Sequence, residues 1–204
     1  MRTGIALIAA VALSLGTAQA QDIGAGAGRV EVAAFPVGGM FFGHSGSHTP
    51  NFGDYALGGA VTVNVTKWIA FEGDVGGGIG IRQDMTVNGV SLANQKSPHM
   101  FAFNGDLVVN VIGRDRELCP YVLAGVGGLR VLTNTEVATL GIVSDETYLT
   151  GNVGAGVKWF ATRHVGLRGD ARLFMVKNKD QAPFFNTDGN QFGGRIYAGV
   201  LLTY

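Results

Sequence analysis

The sequence predicts an all-β chain of eight antiparallel strands closed into an up-and-down barrel, and three observations carry that prediction. Apolar and polar residues alternate with period 2 through eight segments, no stretch keeps helical spacing, and the connections alternate between short and long. The 33 glycines among 204 residues argue against a helical protein, because a glycine inside a helix costs about 1 kcal/mol relative to alanine.

The segments follow in order. Residues 1–20 carry Arg2, an apolar run from Ile5 to Leu15 and the small-residue ending Ala18-Gln19-Ala20, the layout of a cleaved signal peptide. Residues 21–28 are a short flexible Gly-Ala stretch, and residues 29–204 form the barrel domain. The first strand, Arg29 to Phe42, places Glu31 on its polar parity, and the second, Tyr55 to Val65, places Thr62 and Asn64 there. The third, Trp68 to Ile81, sets Phe71 and Val75 against Glu72 and Asp74. In the fourth, Met100 to Ile112, the residues Phe101, Phe103, Leu107 and Val109 oppose Asn104, Asp106 and Asn110. The fifth, Pro120 to Leu132, is read with Tyr121 on the apolar face and Arg130 on the polar one. The sixth, Thr147 to Phe160, opposes Val153, Val157 and Trp159 to Asn152 and Lys158. The seventh, Val165 to Val176, opposes Leu167, Ala171 and Leu173 to Arg168, Asp170 and Arg172. In the last, Gln191 to Tyr204, one face reads Phe192, Gly194, Ile196, Ala198, Val200, Leu202, Tyr204 and the other contains Arg195.

Short connections at 66–67, 113–119 and 161–164 alternate with long ones at 43–54, 82–98, 133–146 and 177–190, the pattern of a membrane barrel with tight turns at one end and long loops at the other. The even strand count places both termini at the short-turn, periplasmic end. No apolar run approaches the roughly 20 residues that a helical anchor requires.

Parity then decides between a membrane barrel and a soluble one of the lipocalin kind, whose greasy face is its lumen. The polar faces contribute Glu31, Glu72, Asp74, Asp106 and Asp170 together with Arg130, Lys158, Arg168, Arg172 and Arg195, five acids and five bases. So balanced a set suits a narrow lumen, where every buried charge needs a partner. The aromatics Tyr55, Phe101, Phe103 and Phe192 fall near one set of strand ends, and Tyr121, Trp159 and Tyr204 near the other, as girdles at two lipid–water interfaces do. The expected surroundings are therefore outer-membrane lipid. Glycines at 76, 128, 154, 156 and 199 read as relief of crowding in a sharply curved wall.

The segment from Gly154 to Arg172, the Pro120-Tyr121 pair followed by Gly125-Val126-Gly127-Gly128, and the final strand ending in Tyr204 together resemble the eight-stranded OmpA-like outer-membrane barrels, over essentially the whole mature chain. The resemblance implies a barrel in the Gram-negative outer membrane, and the expected form is a monomer whose lumen is filled by side chains. Its terminal aromatic strand is similar to the signal read by the outer-membrane assembly machinery, which implies that machinery as a partner.

Chemistry is sparse in the sequence. Equal numbers of acidic and basic residues, 15 each, disfavour nucleic acid as a partner, and the single cysteine, Cys119, can form no intramolecular disulfide. The glycine-rich runs at 74–80 and 125–130 lack the following helix that a nucleotide site needs. His44, Ser45, Ser47 and His48 have only Asp54 as a nearby carboxylate, short of a triad or a metal shell, and are read as plain loop. His164 is read as a strand-end cap. No catalytic residue, metal or cofactor is expected. The expected role is structural or surface-interacting through the loops; the alternatives are a small-solute pore, a lipid-modifying enzyme built on the His44–His48 cluster, and the soluble binder with reversed parity.

Overall fold

Ten strands form in the computed structural model, which describes residues 29–43, 51–87, 90–132, 145–177, 185 and 191–204. They are β1 (Val30–Phe42), β2 (Phe52–Asn64), β3 (Ile69–Ile79), β4 (Arg82–Val87), β5 (Val90–Lys96), β6 (His99–Asn110), β7 (Leu118–Leu132), β8 (Glu146–Phe160), β9 (Val165–Val176) and β10 (Gln191–Thr203). Eight of them close a barrel in the order β1-β10-β9-β8-β7-β6-β3-β2, every pair antiparallel. Among the described residues there is no helix. Closure leaves no sheet edge, which is the only way a β-structure can satisfy its backbone inside lipid. The remaining two, β4 and β5, form a separate hairpin. It lies within residues 82–98, expected as loop, although the alternating Met85, Val87, Val90 and Leu92 on either side of Asn88-Gly89 carry a hairpin signal in the sequence itself.

Alternation along the strands sorts the side chains. In β9 the outer positions Leu167, Leu173 and Met175 are exposed while Arg168, Asp170, Arg172 and Phe174 are buried. β10 repeats the pattern, with Phe192, Ile196, Val200 and Leu202 outside and Arg195, Tyr197 and Leu201 inside. One strand breaks it. β1 carries a bulge around Pro36, where its register slips against both neighbours, so that Phe35 and Met40, five apart, both point inward. Carbonyls around the bulge find side-chain donors: the Tyr55 hydroxyl donates to the Pro36 carbonyl and the Tyr197 hydroxyl to that of Leu57, 3.0 Å away. Tyr197 fits because Gly76 faces it across the lumen, where a Cβ would collide with the phenol.

β7 overturns the sequence reading. Tyr121 is buried in the lumen and not an interface aromatic, and Arg130 is exposed on the outside and not a lumen charge. Both faces of β7 are apolar over most of its length, with Val122, Ala124 and Val126 outside and Tyr121, Leu123 and Leu129 inside. Alternation therefore carries no sign there. The lone charge, Arg130, sits at the strand end, where an outward guanidinium meets Asp145 at 3.2 Å and both side chains stay wet.

The outer face sets a depth-dependent expectation. Val153 is the middle residue of β8 and more than half exposed on the lipid-facing side, so Val153→Arg is expected to cost about 2 to 4 kcal/mol of folding free energy in bilayers. Val109 is the next-to-last residue of β6, and Val109→Arg is expected to cost only about 0 to 1 kcal/mol there. Denaturant unfolding in phospholipid vesicles reads both; equal costs would place the apolar belt elsewhere.

Candidate functional site

Among the described residues the lumen concentrates the buried ionisable chemistry, and strand spacing builds it. Arg168, Asp170 and Arg172 alternate on β9 and so share one face, while Glu72 and Asp74 do the same on β3 across the barrel. Arg168 grips Glu72 with two parallel bonds of 2.6 and 2.9 Å, and also donates to Asp170 at 2.9 Å and through Nε to the Tyr121 hydroxyl at 2.7 Å. Arg172 is the hub. It donates to Asp170 Oδ1 at 2.8 Å, Asp74 at 2.9 Å, Asp106 at 2.5 Å and Glu72 at 2.8 Å. Arg195 donates to Asp74 at 2.6 Å, and its guanidinium lies 4.6 Å from the Tyr197 ring centre. Neutral partners use further lone pairs: Thr62 on Glu72, Asn104 on Asp74, Asn152 on Asp106 and Tyr121 on Asp170.

A second layer closes the short-turn end. Glu31 accepts from Lys158 at 2.6 Å, from Arg114 Nε at 3.0 Å and from Asn64 at 3.0 Å. Tyr121 lies between the layers, its ring 5.3 Å from Lys158 Nζ and 4.8 Å from the Arg168 guanidinium carbon. Gly156 makes room for it, since a Cβ there would collide with the hydroxyl. Arg114 is missing from the sequence-based set because it sits in a charged turn, Arg114-Asp115-Arg116-Glu117, that looks solvated. Its backbone N–H bonds the Lys67 carbonyl at 3.1 Å, which folds the turn across the barrel and buries the guanidinium. With Arg114 replacing Arg130, the network holds five carboxylates, Glu31, Glu72, Asp74, Asp106 and Asp170, against five cations, Arg114, Lys158, Arg168, Arg172 and Arg195. Neutrality matters because an unpaired ion here would cost several kcal/mol.

Toward the long-connection end the lumen turns apolar, a change that charge patterning did not reveal. Phe42 packs on Phe52, Phe174 and Phe185 at ring-centre distances of 5.2, 5.4 and 5.3 Å, and Phe185 meets Tyr148 edge-on at 4.8 Å. Between this plug and the ion network lies a cavity of about 20 Å³ lined by Met40, Leu129, Asn152, Phe174 and Arg195 among others, room for about one water.

The remaining sequence-based residues fall as follows. Tyr55, Phe101, Phe103, Trp159, Phe192 and Tyr204 are exposed on the outer face. His164 is exposed, its Nδ1 3.1 Å from the Thr203 carbonyl at the end of β10. Cys119 is buried. His44, Ser45, Ser47 and His48, like the signal segment, lie outside the described residues. Among the described residues no group of three or more His, Cys, Asp or Glu side chains is arranged to hold a metal ion.

A closed antiparallel eight-stranded barrel, apolar outside and packed with paired charges inside, defines the class of small transmembrane β-barrels. The chain belongs to the outer membrane protein beta-barrel domain family, whose model matches residues 5–196. Among solved structures it is similar to Neisserial surface protein A, NspA, at 17% identity and a TM-score of 0.58, covering 86% of this chain and 96% of that one. It is also similar to the outer membrane protein OprG of Pseudomonas aeruginosa, at 14% identity and a TM-score of 0.54, covering 89% and 98%. No curated protein matches.

Proposed function

We propose that this protein is a non-conducting, non-catalytic outer-membrane barrel that acts as a structural and surface-interaction element through its long connections. In this reading the signal segment at residues 1–20 is cleaved on export, the final strand is presented to the assembly machinery, and the barrel sits in lipid as a monomer with its long connections outside the cell. The observation that carries the proposal is the filled lumen: the Glu31, Lys158 and Arg114 side chains at one end are buried and mutually bonded, and an aromatic plug stands at the other. Eight strands enclose only enough width for side chains to fill.

Planar-bilayer recording on purified protein tests the proposal. The expected result is a silent baseline in 1:1 electrolyte, together with outer-membrane recovery and a heat-dependent gel shift. Stable unitary conductance steps would overturn it in favour of a small-solute pore. The surface role is read separately, by deleting residues 134–143 within the β7–β8 connection: adhesion or envelope phenotypes should change while the gel shift is retained.

A further inference from the structure

The β4–β5 hairpin is joined to the barrel differently from the other strands. The barrel ladder between β3 and β6 ends at Gly78 and Met100, and the hairpin ladder starts at Arg82 and Lys96. Between them, Gly80-Ile81 and Ser97-Pro98 belong to no strand and are held to each other by Ser97 N–H on the Ile81 carbonyl, 3.1 Å, and Ile81 N–H on Ser97 Oγ, 3.0 Å. A third bond at the junction runs from Gly80 N–H to His99 Nδ1, 3.2 Å, and no strand pairing links the two ladders there. Side chains, not ladder bonds, then fix the hairpin's angle. The Gln83 amide clasps the backbone of Gly53 at the start of β2, donating to its carbonyl at 2.5 Å and accepting from its N–H at 3.0 Å. Ser97 Oγ donates to Asp54 Oδ1 at 2.5 Å and accepts from Gln83 at 3.2 Å. In this position Met85 is buried, within the same apolar cluster as Phe42, Phe52 and Phe185.

We propose that the β4–β5 hairpin is a hinged lid on the long-connection mouth, latched to β2 by Gln83 on Gly53 and Ser97 on Asp54, whose opening uncovers the aromatic plug. The closed state carries its own counterweight. Asp54 is only 4% exposed, its Oδ2 has no hydrogen-bond partner, and no cation among the described residues pairs with it. Burying a carboxylate so incompletely satisfied is costly; Oδ2 lies over Gly78 of β3, and opening would let water reach the carboxylate at Oδ1, where Ser97 leaves it. Closed and open arrangements are thus balanced by a few polar contacts on one side and one desolvated carboxylate on the other.

The two halves of the latch therefore respond oppositely to substitution, which a fixed packing contact would not. The experiment introduces Met85→Cys and follows its labelling by a membrane-impermeant maleimide on the barrel in nanodiscs, with the unsubstituted protein reporting the background from buried Cys119. Adding Gln83→Ala and Ser97→Ala is expected to raise the labelling rate by about tenfold or more. Adding Asp54→Asn, which keeps the acceptor for Ser97 but removes the buried charge, is expected to slow it. Hydrogen exchange of residues 82–96 in protein retaining Met85 should follow the same order, with β3 and β6 unchanged. Equal rates in all backgrounds, or acceleration by Asp54→Asn, would overturn the proposal. Should the double change prevent the heat-dependent shift, Gln83→Ala alone serves for the same comparison.

Discussion

Replacing Arg172 with methionine is expected to lower the unfolding free energy of the barrel by about 3 to 5 kcal/mol. Methionine fills much of the volume, so the loss is electrostatic. Four carboxylates, Glu72, Asp74, Asp106 and Asp170, converge on the Arg172 guanidinium, and without it they face one another across a few ångströms with only Arg168 and Arg195 to offset them. Denaturant unfolding in detergent or vesicles reads the change directly. A further substitution, Asp106→Asn, removes one of the stranded charges and should recover part of the loss; a double variant no more stable than Arg172→Met would show that lumen electrostatics do not limit stability.

The second large effect is expected at the other layer. Glu31→Gln leaves Lys158 and Arg114 buried side by side without their shared anion, again at a cost of about 3 to 5 kcal/mol. Lys158→Met in the Glu31→Gln background should restore much of that, because a single cation beside a neutral amide is less strained than two. The sign of this coupling is the test. Additive losses from Glu31→Gln and Lys158→Met would mean that the two side chains do not act as a pair, despite their 2.6 Å contact.

The two layers also show where local reading of a sequence stops. Glu31 and Lys158 are 127 residues apart, and Glu72 and Arg172 are 100 apart. Their inward parity is legible strand by strand, since each sits among apolar neighbours at odd spacing. Their pairing is not, because it depends on barrel register. β7 marks the complementary failure: with apolar residues on both faces, the period-2 pattern survives but loses its direction, and the assignment of Tyr121 and Arg130 turned on a single charged residue at the strand end.

Arg114 illustrates a different limit. A turn rich in alternating charges looks solvated, and nothing within Arg114-Asp115-Arg116-Glu117 tells that the Lys67 carbonyl will draw it over the barrel mouth. Likewise the apolar inward positions Phe42, Leu129, Val131 and Phe174 are visible one at a time as ordinary strand residues. Only closure of the barrel gathers them into a plug.

By itself, then, the sequence of this protein determined the number of barrel strands, the alternation of connection lengths and the inside-out polarity of most strands, because these are properties of consecutive residues on a pleated chain. The tertiary structure alone decided which charges pair, which way β7 faces, that a turn arginine replaces a strand arginine in the neutral network, and where on β2 the β4–β5 hairpin docks. Those outcomes rest on register and ring closure, which bring together residues that local physical chemistry leaves unrelated.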